Sequence, residues 1–173
     1  MRVTLFTVLY LLSVVLILVN TLENCVNLKK NLEEILKCCT IDDWLPERNL
    51  QNCTNKHKFQ FSESRKGLQF CVESCYYRSL GIVDEFAVNL TRLHEINRNR
   101  KQYEQETIDQ AAYTCNYEKY EEIIDRLMYH RTECNSYPSL FGDCIMNEIQ
   151  MNCHDKLWRN STVCDRFRAR KFC

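Results

Sequence analysis

The chain has 173 residues, and its 23 Lys+Arg balance 23 Asp+Glu, which excludes both the basic excess of a general nucleic-acid binder and the acidic excess of a disordered tail. Hydrophobic residues reach 45%, enough for a core, whereas 3 Gly and 2 Pro are too few for a sandwich or barrel with frequent turns and leave no Gly-rich phosphate loop. The 12 cysteines are the strongest signal, that of a disulfide scaffold.

Residues 1–20 read as a secretory signal peptide, with Arg2 as the charged start and Leu9–Val19 as the apolar run. That run is shorter than the ~20 residues a membrane-spanning helix needs. Cleavage is expected at about residues 19–24, leaving a chain of formal charge −1. No second run approaches membrane length, so residues 21–173 are expected to form a single secreted, extracellular domain.

That domain reads as all-α. Leu28, Leu32, Ile35, Leu36 and Cys39 share one helical face, with Pro46 at its exit. A second helix is predicted from about Arg65 to Ser79, with Leu68, Cys71, Val72 and Cys75 in one stripe. Asp84 is placed to cap a third, whose stripe is Phe86, Leu90, Leu93 and Asn97. Thr107 and Gln110 have capping-box spacing, and the helix they open would group Ile108, Ala111, Ala112 and Cys115. The clearest stripe is Tyr117, Tyr120, Ile123, Ile124, Leu127 and Met128, with Glu118, Glu121 and Glu122 first and Arg126, His130 and Arg131 last, as the helix dipole favours. Pro138 opens a segment carrying Phe141, Cys144, Ile145, Ile149 and Cys153. Asp42–Ser64 and Asn97–Gln105 read as loops, and Lys58–Ser62 is the best short strand candidate.

All twelve cysteines (Cys25, Cys38, Cys39, Cys53, Cys71, Cys75, Cys115, Cys134, Cys144, Cys153, Cys164 and Cys173) follow the signal segment. In an oxidising compartment an even set implies disulfides, here six, and spacing alone does not fix their connectivity. No paired C-x-x-C supports a metal site. From Cys53 onward the intervening residues number 17, 3, 39, 18, 9, 8, 10 and 8. A gap of three followed later by a gap of eight resembles the insect odorant-binding proteins, and the additional cysteines resemble their twelve-cysteine Plus-C subgroup. Many members carry a proline after the cysteine matched by Cys153, where this chain has His154.

The resemblance implies about six to eight helices, crosslinked around an apolar cavity, with tied N- and C-terminal extensions. It implies Cys71–Cys144 and Cys134–Cys153 bonds, and a bond from Cys75 to an N-terminal cysteine, for which Cys39 is best spaced; it leaves Cys25, Cys38, Cys53, Cys115, Cys164 and Cys173 unpaired in the scheme. The implied function is carriage of small hydrophobic ligands, odorant- or pheromone-like, through aqueous fluid. Partners would be that ligand and, as a further candidate, a membrane receptor; the chain would be a monomer or homodimer that binds no nucleic acid. The stripes supply the expected lining: Phe86, Leu90, Leu93, Ile123, Leu127, Met128, Phe141 and Ile145. Taken singly, each of these residues reads more readily as plain core than as ligand contact, because helical stripes are usually core. The competing function is a secreted cysteine-rich interaction protein (an inhibitor, toxin or signalling factor) without a cavity.

Catalysis is not expected, and neither is a cofactor. The Cys38–Cys39 pair is followed by Thr40-Ile41-Asp42-Asp43-Trp44, without the histidine a secreted phospholipase places there. His57, His94, His130 and His154 are scattered; His94 and His130 suggest that acidification would loosen a pocket wall. Arg159, Arg166, Arg168, Arg170 and Lys171 make the C-terminal segment basic. Sequons occur at Asn52, Asn89 and Asn160, of which Asn160 is the most available acceptor.

Overall fold

The structure, a computed structural model, describes residues 25–41, 44–45, 48–57, 65–129 and 134–173. The signal segment, the Asp42-Asp43 pair, Pro46, the Lys58–Ser62 strand candidate, His130 and Arg131 lie outside them. The helices are α1 (Leu32–Ile35), α2 (Arg48–His57), α3 (Arg65–Ser79), α4 (Leu90–Asn97), α5 (Gln102–Tyr113), α6 (Tyr120–Tyr129), α7 (Tyr137–Met151) and α8 (Thr162–Arg168). A π-helical segment, Thr114–Glu118, follows α5, and a 3-10 turn, Asp155–Leu157, follows α7. The fold is all-α, crosslinked by six disulfides; strands β1 (Val83–Asp84) and β2 (Ala87–Val88) make one small hairpin. By backbone contacts the described residues fall into two units, one within 39–158 and one made of 25–38 with 159–173.

In the larger unit α7 is the central element. Pro138 sits at its start, where a missing N–H costs nothing. Both of its faces are buried, from Tyr137, Leu140 and Phe141 to Ile145 and Ile149. Gly142 lets Tyr77 of α3 lie against it: a β-carbon there would collide with the Tyr77 hydroxyl. Ile108, Ala111, Ala112 and Cys115 form one buried stripe, as expected. The helix bearing them starts earlier, at Gln102, and Thr107 lies inside it with its hydroxyl donating to the Tyr103 carbonyl at 2.8 Å. The presumed Asn97–Gln105 loop is correspondingly short, and α2 occupies part of the presumed Asp42–Ser64 loop.

Residues 83–88 form the hairpin in place of the expected helix start. Val83 pairs with Val88 and Asp84 with Ala87, around a turn at Glu85 and Phe86. Asn89, not Asp84, caps α4, its side-chain oxygen accepting from the Arg92 N–H at 2.9 Å. Phe86 and Leu90 have helical spacing, but Gly81 (φ +69°) ends α3 and Glu85 (φ 52°) turns the chain back before α4 starts.

In the smaller unit α1 is one turn, and Leu28, Leu32 and Leu36 are exposed, so the expected N-terminal stripe buries Ile35 alone of these four. Val26, Ile35, Cys38, Cys164 and Phe167 are buried in this unit. The tied extensions are bonded to each other, through Cys25–Cys173 and Cys38–Cys164. Ser161 caps α8 by accepting from the Cys164 N–H and donates to the Glu34 carboxylate at 2.9 Å. Arg166 and Arg168 occupy the last turn of α8, where cations complement the carbonyl end.

Candidate functional site

The eight expected lining residues separate into three groups. Leu93, Ile123, Phe141 and Ile145 join one core cluster, with exposures of 1%, 2%, 0% and 0%. A side chain facing a ligand-sized void would leave area open to a water-sized sphere, so at these four positions the expected hollow is filled. Leu90 and Leu127 pack at the cluster's margin. Phe86 (48% exposed) and Met128 (63%) are at the surface. Phe86 is there because it belongs to a hairpin turn, and Met128 because α6 buries only Ile123 fully.

One groove, of about 670 Å³, runs beside the hairpin and the start of α4. Val83, Ala87, Val88, Leu90 and Tyr117 give it apolar walls; Arg78, Asp84, Asn89 and Thr91 add polar ones. Leu90 is the one of the eight expected residues on its wall. The π-helical segment carries Tyr117, whose ring lies 4.7 Å from that of Tyr113; both are exposed. A second groove, of about 520 Å³, lies along α3 and is polar at Lys56, His57, Ser74, Arg78 and Asn135.

The start of α7 holds an aromatic cluster centred on Tyr137, the one of its four rings that periodicity did not single out. Tyr137 is fully buried. Its ring stacks on Phe141 at 6.2 Å and meets Phe86 at 5.7 Å and Tyr120 at 6.3 Å, both edge-on. Asn135 ties the hairpin tip to this place, donating to the Glu85 carbonyl at 2.7 Å and accepting from the Tyr137 N–H at 3.0 Å. The Tyr137 hydroxyl is buried, and among the described residues no group hydrogen-bonds it. Burial first, and then neighbouring Tyr120, push its pKa up to about 12.

The other singled-out polar residues fall into local pairings. His94 meets the Asp109 carboxylate at 2.6 Å, joining α4 to α5. The His154 ring nitrogen accepts from the Lys156 N–H, and its ring stacks on Tyr103 at 5.6 Å. Glu148, buried in α7, is paired with Lys119 and Asn152. Among the described residues no group of three or more His, Cys, Asp or Glu is placed to hold a metal. Asn89 lies at a helix cap, outside the helix once expected to hold it, and Asn52 lies within α2; Asn160 is exposed beside the α8 cap.

All twelve cysteines are bonded, but not as the resemblance implied. The pairs are Cys25–Cys173, Cys38–Cys164, Cys39–Cys153, Cys53–Cys75, Cys71–Cys134 and Cys115–Cys144, with Cα separations of 5.1–5.9 Å. None of Cys39–Cys75, Cys71–Cys144 and Cys134–Cys153 forms. Cys134 and Cys153 flank α7, whose 15 residues rise about 22 Å, three times the ~7 Å a disulfide tolerates. Cys75 is taken by Cys53 on the neighbouring α2, and Cys144 by Cys115 on the π-helical segment beside α7. The order of linkage is nonetheless the implied one. Taking Cys53, Cys71, Cys75, Cys115, Cys134 and Cys144 in sequence, the first bonds the third, the second the fifth and the fourth the sixth.

No protein-family model matches the chain, and no curated protein does. Among the described residues no helix is long and apolar enough to cross a membrane.

Proposed function

We propose that the protein is an extracellular carrier of small hydrophobic molecules, akin to the odorant-binding proteins its cysteine spacing resembles. The observation that carries this reading is the trio Cys53–Cys75, Cys71–Cys134 and Cys115–Cys144, which repeats the linkage order implied by the resemblance on a set that shares Cys71, Cys75, Cys134 and Cys144 with the implied one. Disulfides are at home in an oxidising compartment, and residues 1–20 have the pattern of an export signal. The groove beside the hairpin, at about 670 Å³, is of a size that small-molecule sites occupy and is walled by apolar and polar groups in about equal measure.

The test is displacement of a fluorescent apolar probe from the secreted, oxidised protein, with native mass spectrometry for stoichiometry. Saturable uptake near one probe per chain is expected. Leu90→Asp, which puts an acid in the first turn of α4 where the helix dipole tolerates it, should weaken uptake at least about tenfold, because a carboxylate on an apolar wall must be desolvated.

A second reading, a secreted interaction protein without a ligand cavity, is favoured by one observation: Phe141 and Ile145 are wholly inaccessible. Folded, fully oxidised protein that takes up no apolar probe would establish that reading over the first.

A further inference from the structure

We propose that the Tyr137 hydroxyl is the polar anchor of a binding subsite for small apolar molecules bearing one oxygen acceptor, such as a ketone or ester, with Phe86 and Tyr120 as its movable cover. The inference rests on the carrier reading and adds to it a second place and a ligand chemistry.

The starting point is an unmatched donor. Nearly all buried polar atoms in folded proteins have a partner, and leaving one without costs ~1–3 kcal/mol. The described ring neighbours of Tyr137 are Phe86, Tyr120 and Phe141. Phe86 and Phe141 offer rings alone, and Tyr120 is not hydrogen-bonded to the Tyr137 hydroxyl. The phenol stays neutral far above physiological pH, so it retains a proton to donate. Its unmet need is an acceptor in apolar surroundings, which a carbonyl on a hydrophobic molecule supplies.

The cover is built to move. Phe86 and Tyr120 are 48% and 38% exposed, so neither ring is locked in the core. Asn135 holds the hairpin tip at the Glu85 carbonyl, so the exposed Phe86 ring opens by rotating about its own side-chain bonds. Swinging the Phe86 ring out vacates a ring-sized space against the face and edge of Tyr137, where another flat apolar group can take up the edge-to-face contact. Seating a charged molecule against these rings would strip its hydration at a cost a neutral molecule escapes, which favours neutral molecules as the class.

The experiment uses acetophenone and ethylbenzene, matched in shape and differing in the carbonyl. Each competes against bound phenylnaphthylamine on the secreted protein and on the Tyr137→Phe variant. The wild type should prefer acetophenone, and Tyr137→Phe should lose about fivefold to tenfold in acetophenone affinity, as removal of one hydrogen bond does, with ethylbenzene unchanged. Equal acetophenone affinity in both proteins overturns the subsite while the carrier reading stands, provided phenylnaphthylamine still binds. If none of the three compounds binds, the carrier reading falls and the subsite with it. Should Tyr137→Phe not fold, Phe86→Trp places a fluorophore on the cover. Its emission should then change saturably with acetophenone and much less with ethylbenzene; an unchanged spectrum overturns the proposal.

Discussion

At the scale of single residues, two tyrosines in the larger unit govern what the fold tolerates. Tyr77 occupies the space that any β-carbon at position 142 would need. Gly142→Ala should therefore cost about 1–3 kcal/mol, the range for overpacking a filled core, measured by urea denaturation of the oxidised protein. Adding Tyr77→Phe should recover part of that loss. Burial holds the Tyr77 phenol well above its usual range and pushes Tyr137 up to about 12 from an ordinary 10.0. A pKa raised in the folded state means that folding retains the proton, so these groups support stability fully below about pH 10 and withdraw it as pH climbs toward about 12. Absorbance titration should show the Tyr77 and Tyr137 phenols ionising late, in step with loss of the near-ultraviolet circular dichroism. Complete phenol ionisation at about pH 10 with the fold intact would contradict this placement.

Among elements, legibility followed the strength of the local pattern. The Arg65–Ser79 helix was visible in its bounds, because its stripe is continuous and Gly67, its one glycine, lies in the first turn. The helix opened by Pro138 and the Ile108–Ala111–Ala112–Cys115 stripe were likewise visible from continuous stripes. The hairpin was not, since two-residue strands carry too little alternation to register and Phe86 and Leu90 mimic helical spacing. The disulfide partners were out of reach for spacing, although one implied bond, Cys134–Cys153, conflicted with the helix expected between its ends. Of the candidate site, Leu90 was legible as part of an apolar stripe. Tyr137 was not, because a missing hydrogen-bond partner is a property of three dimensions alone. Two outcomes belong at this scale. Non-reducing digestion should recover Cys71–Cys134 and Cys115–Cys144 peptides. Replacing both Cys115 and Cys144 by Ser should cost roughly 3–4 kcal/mol, the loop-closure entropy for a separation of 29 residues. Recovery of Cys71–Cys144 peptides would instead restore the implied scheme.

For the whole molecule, the pattern of crosslinks has an order in time. Three of the six are nested: Cys25–Cys173 encloses Cys38–Cys164, which encloses Cys39–Cys153. Full reduction should add about 12 Da to the intact mass, two hydrogens per bridge, and a smaller increment would mean free thiols. Because a chain is made from its N-terminus, Cys25, Cys38 and Cys39 emerge from the ribosome more than a hundred residues before their mates. Throughout that wait the adjacent thiols at 38 and 39 face Cys53, Cys71, Cys75 and Cys115, every one of them a wrong partner. Oxidation alone would trap such errors, and thiol–disulfide exchange takes seconds to hours to undo them. Host cells rich in disulfide isomerase should therefore yield more correctly bridged product than a reducing cytosol does.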